Sequence, residues 1–223
     1  MDKAQVRKRI DEIRIIPVVR AATPEQACMA AEAVRLGGIS VVEITMTVPG
    51  AVRVIKELAR SCGAEVLVGA GTIRSAEMAR ECLDGGAEFL VSPGTNIRTI
   101  EFALNRGVVV MAGALTPTEI DYAWQLGVDY VKVFPCSAVG GPSYIKALKA
   151  PFPEIPLVPT GGVNLTTASD FLKAGASALG VGGELVQAAA LESGKTDVIT
   201  EAAKKYVEIV RQSIETKGSG LAK

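Results

Sequence analysis

The chain contains no histidine. That absence removes a Ser–His–Asp triad, a Cys–His dyad, a histidine-based zinc site and an imidazole proton shuttle. Any acid–base chemistry must run on Glu, Asp, Lys, Tyr or Cys. Cysteine is scarce at 4 residues, and Cys28, Cys62, Cys82 and Cys136 lack CxxC or metal-ligand spacing. They are expected to be reduced thiols of a cytoplasmic protein, three on helices and Cys136 just after a strand. A net charge is missing as well: 24 Lys+Arg balance 24 Asp+Glu. Neither nucleic acid nor an anionic membrane is therefore an expected partner. No apolar run approaches the ~18 residues of a membrane span. The opening Met1-Asp2-Lys3-Ala4-Gln5 carries no apolar signal-peptide region.

What is present is apolar mass. Of 223 residues, 48% are hydrophobic and 22% charged, with mean hydropathy +0.30. That suffices for one substantial core and excludes a disordered chain. One phrase recurs along it: a helical stretch ends in Gly, and a strand-length apolar run follows. Gly37-Gly38 precedes Ile39–Thr45, Gly63-Ala64 precedes Glu65–Val68, and Gly86-Ala87 precedes Glu88–Val91. Gly107 precedes Val108–Met111, Gly127 precedes Val128–Val133, and Gly175-Ala176 precedes Ser177–Val181. Each glycine suits a helix C′ position, where the backbone turns left-handed. Arg14–Arg20 and Ile155–Pro159 complete the set of strands. The runs are rich in Val, Ile and Leu with little alternation, as in parallel strands buried on both faces. Helix starts lie between them: Thr23-Pro24-Glu25-Gln26, Ser75 with Glu77, and the capping-box pattern Thr116-Pro117-Thr118-Glu119.

Eight strands at roughly 20–27-residue spacing, each followed by a helix, predict a minimal (β/α)8 TIM barrel. An open doubly wound sheet is the competing α/β arrangement, but no GxGxxG follows the first strand. The whole of 1–223 is expected to be a single domain, with a polar C-terminal tail from about residue 213.

In such a barrel chemistry gathers at the C-terminal strand ends. Lys132 interrupts the apolar run Val131-Lys132-Val133-Phe134. Burial penalises the charge of an ammonium and favours the neutral amine, which can attack a carbonyl and form a Schiff base. The competing view is a structural lysine paired with a carboxylate or reaching out to solvent. Glu43 is the matching oddity within Val41-Val42-Glu43-Ile44-Thr45. Alternation places Val41, Glu43 and Thr45 on one face, so an inward Glu43 near Lys132 would move protons or merely neutralise it. Thr160-Gly161-Gly162 and Gly182-Gly183 end strands seven and eight, where barrels often hold phosphate on backbone N–H groups, though tight turns alone also use glycine. Arg20, ending strand one, is either a bidentate clamp for an anion or a surface residue at a loop start.

These segments together resemble a known family over nearly the whole chain. Glu43-Ile44-Thr45, Val68-Gly69-Ala70-Gly71-Thr72, Val91-Ser92-Pro93-Gly94, Gly113 through Glu119, Lys132-Val133-Phe134-Pro135, Pro159 through Val163 and Gly180-Val181-Gly182-Gly183 occur in the order seen in class I 2-keto-3-deoxy-6-phosphogluconate (KDPG) and 4-hydroxy-2-oxoglutarate (KHG) aldolases. The resemblance implies a (β/α)8 barrel, a homotrimer, a small 2-keto acid substrate, and no metal or organic cofactor. It implies Lys132 as the Schiff-base lysine and Glu43 as the general acid–base. It further implies Thr72 and Pro93 around the pyruvate part, Phe134 as the aromatic wall, and Thr160, Gly161, Gly162, Gly182 and Gly183 at the phosphate end. Two positions depart from it. Thr47 stands where many members carry an arginine that binds substrate, and Arg20 is expected to take over its charge. Glu184 follows Gly183, so either its carboxylate points away or the preferred substrate carries no phosphate. The competing functions are 2-keto-3-deoxy-6-phosphogalactonate aldolase, another phosphate-binding barrel enzyme such as an isomerase or synthase, and a non-catalytic ligand-binding barrel.

Overall fold

The computed structural model describes residues 1–219, with side chains through residue 215. Its Val-, Ile- and Leu-rich runs form β1 (Ile15–Val19), β2 (Val41–Thr45), β3 (Leu67–Gly71), β4 (Phe89–Val91), β5 (Val109–Ala114), β6 (Tyr130–Val133), β7 (Leu157–Pro159) and β8 (Leu179–Val181). Every residue of these strands is buried, because one face meets the interior and the other meets helices. They pair in parallel in the order β7-β6-β5-β4-β3-β2-β1-β8. The remaining seam between β7 and β8 is joined by one parallel bridge, Thr160 to Gly180. The expected (β/α)8 barrel is thus formed, nearly closed, with its narrowest pairing beside the glycine turns.

Around it lie α2 (Pro24–Leu36), α3 (Ala51–Cys62), α4 (Ala76–Asp84), α5 (Ile97–Asn105), α6 (Pro117–Gln125), α7 (Pro142–Lys149), α8 (Ala168–Lys173), α9 (Ala188–Glu192) and α10 (Asp197–Ser219). The anticipated caps are in place. Thr23, Ser75 and Thr116 accept from the backbone N–H groups of Gln26, Met78 and Glu119, and Thr116 and Glu119 complete a capping box. One glycine of each recurring phrase takes positive φ, from 50° at Gly63 to 105° at Gly86, with Gly38 rather than Gly37 doing so after α2. Gly63 is the variant: its ψ of −128° lies outside the left-handed helical region. The polar stretch from residue 213 remains helical in α10 as far as Ser219; the last part of the expected tail, 220–223, lies outside the described residues.

One helix has no counterpart in the sequence reading. The N-terminal α1 (Lys3–Ile13) precedes the first strand and plugs the N-terminal mouth of the barrel. Its Val6 and Ile10, one turn apart, join Ile16, Val41, Leu67, Phe89 and Tyr130 in an apolar cluster. Polar contacts pin it there. Buried Asp129 accepts from Val110 N–H at 2.9 Å and meets Lys3 Nζ at 2.9 Å. The Tyr130 hydroxyl donates to Asp11 at 2.6 Å.

Candidate active site

The barrel places β2 and β6 four strands apart in a ring of eight, so their inward side chains face across the interior. Glu43 and Lys132 are those side chains. They are 2% and 5% exposed, and Lys132 Nζ stands 3.7 Å from Glu43 Oε1. This is ion-pair distance rather than a hydrogen bond, and Oε1 has no hydrogen-bond partner. A buried carboxylate oxygen held only at ion-pair distance calls for a physical explanation. Burial pushes the Glu43 carboxyl pKa up, against the opposing pull of Lys132 and then of Arg20.

Glycine makes the room. A Cβ on Gly71, in register with Thr45 on the neighbouring strand, would overlap the Glu43 carboxylate. A Cβ on Gly113, in register with Lys132, would overlap the Pro93-Gly94 backbone. Gly113 thereby lets the loop after β4 fold over the barrel mouth. Gly180 does the same for the Thr160 side chain. These glycines look like turn or strand residues in the sequence; only the fold shows that they are spaces.

Phe134 divides the mouth. Its ring centroid is 5.6 Å from Lys132 Nζ. On one side lies a cavity of about 130 Å³, in which Arg20 and Phe134 meet Thr160, Gly161 and Gly162 from the end of β7, and Gly182, Gly183 and Glu184 from the end of β8. On the other side Phe134 meets Pro93, Gly113, Glu119 and Tyr122 around a cavity of about 280 Å³. Of the expected residues, Arg20, Thr160, Gly161, Gly162, Gly182 and Gly183 line the first cavity, Pro93 lines the second and Phe134 lines both, while Glu43, Lys132 and Thr72 line neither. Thr72 sits half-buried just past β3, in a left-handed conformation with φ 62°. A β-branched residue there is held against its preference, which is common at ligand clamps.

The two departures take definite positions. Thr47 Oγ1 lies 2.6 Å from Thr45 Oγ1, which donates to the Val19 carbonyl at 2.9 Å. The position where the resemblance leads one to expect an arginine is thus tied back onto the strand. Glu184 lines the same cavity as Arg20 and the glycine turns. Arg74, which the sequence reading passed over, lies beside Pro93, Gly94, Thr95 and Asn96 at the mouth. Glu119 reads in the sequence as a capping-box residue within a family-like segment, and Tyr122 carries no signal there. No composition signal distinguishes them, because their access to the mouth depends on loop folding. Among the described residues no three His, Cys, Asp or Glu side chains gather into a metal-binding group, and no helix is long and apolar enough to cross a membrane.

The chain is 34% identical over 202 residues to the 2-dehydro-3-deoxy-phosphogluconate aldolase of Treponema pallidum, covering 90% of this chain and 95% of that one. It is 34% identical over 195 residues to the KHG/KDPG aldolase of Escherichia coli K12, covering 87% and 91%. A crystal structure of KDPG aldolase from Legionella pneumophila, with pyruvate captured as a covalent carbinolamine, superposes with TM-score 0.83 at 27% identity, over 90% of this chain and 97% of that one. The family model described as KDPG and KHG aldolase matches residues 6–202, and the chain belongs to that aldolase family.

Proposed function

We propose that this aldolase works through a Schiff base on Lys132, with Glu43 carrying the protons. Its substrates are 2-keto acids with a hydroxyl at C4. KDPG would be cleaved to pyruvate and glyceraldehyde 3-phosphate, and KHG to pyruvate and glyoxylate. The observation that carries this reading is the buried Lys132–Glu43 pair whose near carboxylate oxygen lacks a hydrogen-bond partner.

The proposed steps use these two side chains. Lys132 Nζ adds to the C2 carbonyl, giving a carbinolamine that loses water to become an iminium. Glu43 takes the C4 hydroxyl proton, directly or through water, as the C3–C4 bond breaks. The C3–C4 bond pair becomes the C2=C3 double bond, the C=N π pair moves onto the nitrogen, leaving an enamine, and the aldehyde departs. Glu43 returns the proton to C3, and water releases pyruvate and restores the amine. Alternating base and acid roles suit a carboxyl group whose pKa burial has raised. Thr72 and Pro93 would flank the pyruvate part, with backbone donors near Gly71-Thr72 holding its carboxylate. Arg20 and the glycine turns would receive the distal end, with Phe134 between the two halves.

A phosphate-binding isomerase or synthase on the same fold would account for the glycine turns but would leave a lysine in the middle of β6 unexplained. The family resemblance supports a homotrimer, readable by light scattering of the purified chain. The four free thiols support a reducing, cytoplasmic setting. The activity is tested by following pyruvate release from KDPG and from KHG in the presence of a chelator. Release from at least one substrate is expected. No release from either, or release only after a divalent ion is added back, would contradict the reading.

A further inference from the structure

The cavity beyond Phe134 holds charges of both signs. Arg20 and Glu184 line it together with the N–H-bearing turns Gly161-Gly162 and Gly182-Gly183. Among the described residues neither side chain forms an ion pair, with the other or elsewhere. Both are exposed; the charge of Arg20 also reaches Glu43, but no ion pair holds either side chain away from an occupant.

Hydrogen-bond capacity then separates possible occupants. A phosphate monoester dianion only accepts, and so does a carboxylate. Placed in one small cavity they offer each other no proton and repel. A hydroxyl group both donates and accepts. It can donate to Glu184 while accepting from Arg20 or a glycine N–H. We propose that Glu184 is a specificity-determining residue, tilting this cavity away from a phosphate dianion and towards an uncharged, hydroxyl-bearing tail. A 2-keto-3-deoxy acid ending in a free primary alcohol is then used at least as well as its 6-phosphate. This inference rests on the Schiff-base reading and ranks its substrates.

The carboxylate has one other place to go. The Tyr206 hydroxyl is buried without a hydrogen-bond partner, and the charge of Glu184 reaches it. With Glu184 turned onto Tyr206, the cavity would present only Arg20 and N–H donors and would favour phosphate.

The test compares kcat/KM for 2-keto-3-deoxygluconate and its 6-phosphate in the parent protein, Glu184→Ser and Tyr206→Phe, with pyruvate–borohydride trapping run on all three. The parent should favour the free alcohol or use both alike. Glu184→Ser should move the ratio towards the phosphate by at least about tenfold, mainly through KM, and Tyr206→Phe should leave it in place. A ratio that stays within twofold in Glu184→Ser overturns the inference. So does a shift in Tyr206→Phe as large as that in Glu184→Ser. Loss of trapping in the parent would strike the Schiff-base reading instead, so the two failures are distinguishable.

Discussion

The two ends of the barrel interior use the same strands for opposite purposes. At the N-terminal end, Val41, Leu67, Phe89, Val109 and Tyr130 close on Val6 and Ile10 of α1. Two residues further along the same strands, Val41 gives way to Glu43, Leu67 to Gly69 and Tyr130 to Lys132. Large apolar side chains fill the lower layer, and the upper one sets buried charges beside glycine, with Val91 and Met111 keeping it apolar on the β4–β5 side. The lower layer is stabilised by removal of apolar surface from water. The upper layer gives up part of that stabilisation, since a buried ion pair costs desolvation that its attraction only partly offsets. A protein that tolerates this in one layer, directly above a well-packed one, is separating stability from chemistry along a few ångströms of strand.

Changes in the upper layer should therefore remove rate. Glu43→Gln is expected to lower kcat by about 10²–10⁴-fold without loss of the fold. Burial raises the Glu43 pKa above its ordinary value of 4.5, so on acidification the carboxylate is protonated earlier than an exposed glutamate would be. The acid limb of kcat/KM in the parent should lie above pH 4.5 and vanish from the residual activity of Glu43→Gln. The folded state also holds this proton more tightly than the unfolded state. Its stabilising contribution is full below 4.5 and falls as pH rises through the elevated folded value. An acid limb at or below 4.5 would show that another group carries the proton.

Gly71→Ala sharpens the comparison from the side of space rather than charge. The added Cβ overlaps the Glu43 carboxylate, and displacement of about 1 Å at a reacting group can cost about 10²-fold in rate. The expected outcome is a folded protein with kcat lowered about that much. An unchanged kcat would mean that Glu43 does not act from its position in this structure.

How much of this was legible in the sequence follows the same division. Glu43 and Lys132 stood out because a charge within an apolar strand is a local signal; strand alternation put Glu43 on one face with Val41 and Thr45, and the fold shows that face to be the interior. The parallel strands and their glycine-terminated helices were legible for the same reason. The α1 plug was not. Its buried apolar residues are Val6 and Ile10 alone, and a helix so charged shows its purpose only when the open barrel mouth is there to receive them. Gly71 and Gly113 read as turn or strand glycines, since the groups they admit come from distant segments. Whether Glu184 faces the cavity was undecidable from sequence, because the chain path after β8 sets it.

Arg20→Ala should give a smaller effect. Losing a charge-assisted hydrogen bond to substrate costs about 1.5–3 kcal/mol, or roughly 10–150-fold in kcat/KM. A loss with both KDPG and KHG would assign Arg20 to the shared carboxylate, and a loss with KDPG alone to the phosphate. Parent rates on both would refute the relocated arginine and leave the anion to backbone N–H groups.

The smallest effect on rate is expected in the lower layer. Ile10→Ala removes a fully buried plug residue, 1% exposed, and should cost about 2–5 kcal/mol of stability. Denaturant midpoints should fall while kcat at moderate temperature stays within about twofold of the parent. A large loss of kcat in the folded variant would mean that the two layers are not separable.

The central claim, that Lys132 is the nucleophile of the upper layer, is tested most directly by covalent capture. The protein is incubated with pyruvate and borohydride, digested, and mapped by mass spectrometry. The account predicts one reduced pyruvyl adduct, located on Lys132 and absent from Lys132→Arg, whose guanidinium stays protonated. An adduct on Lys146, Lys149 or Lys173 instead, or no adduct in a protein that still cleaves its substrate, would contradict it.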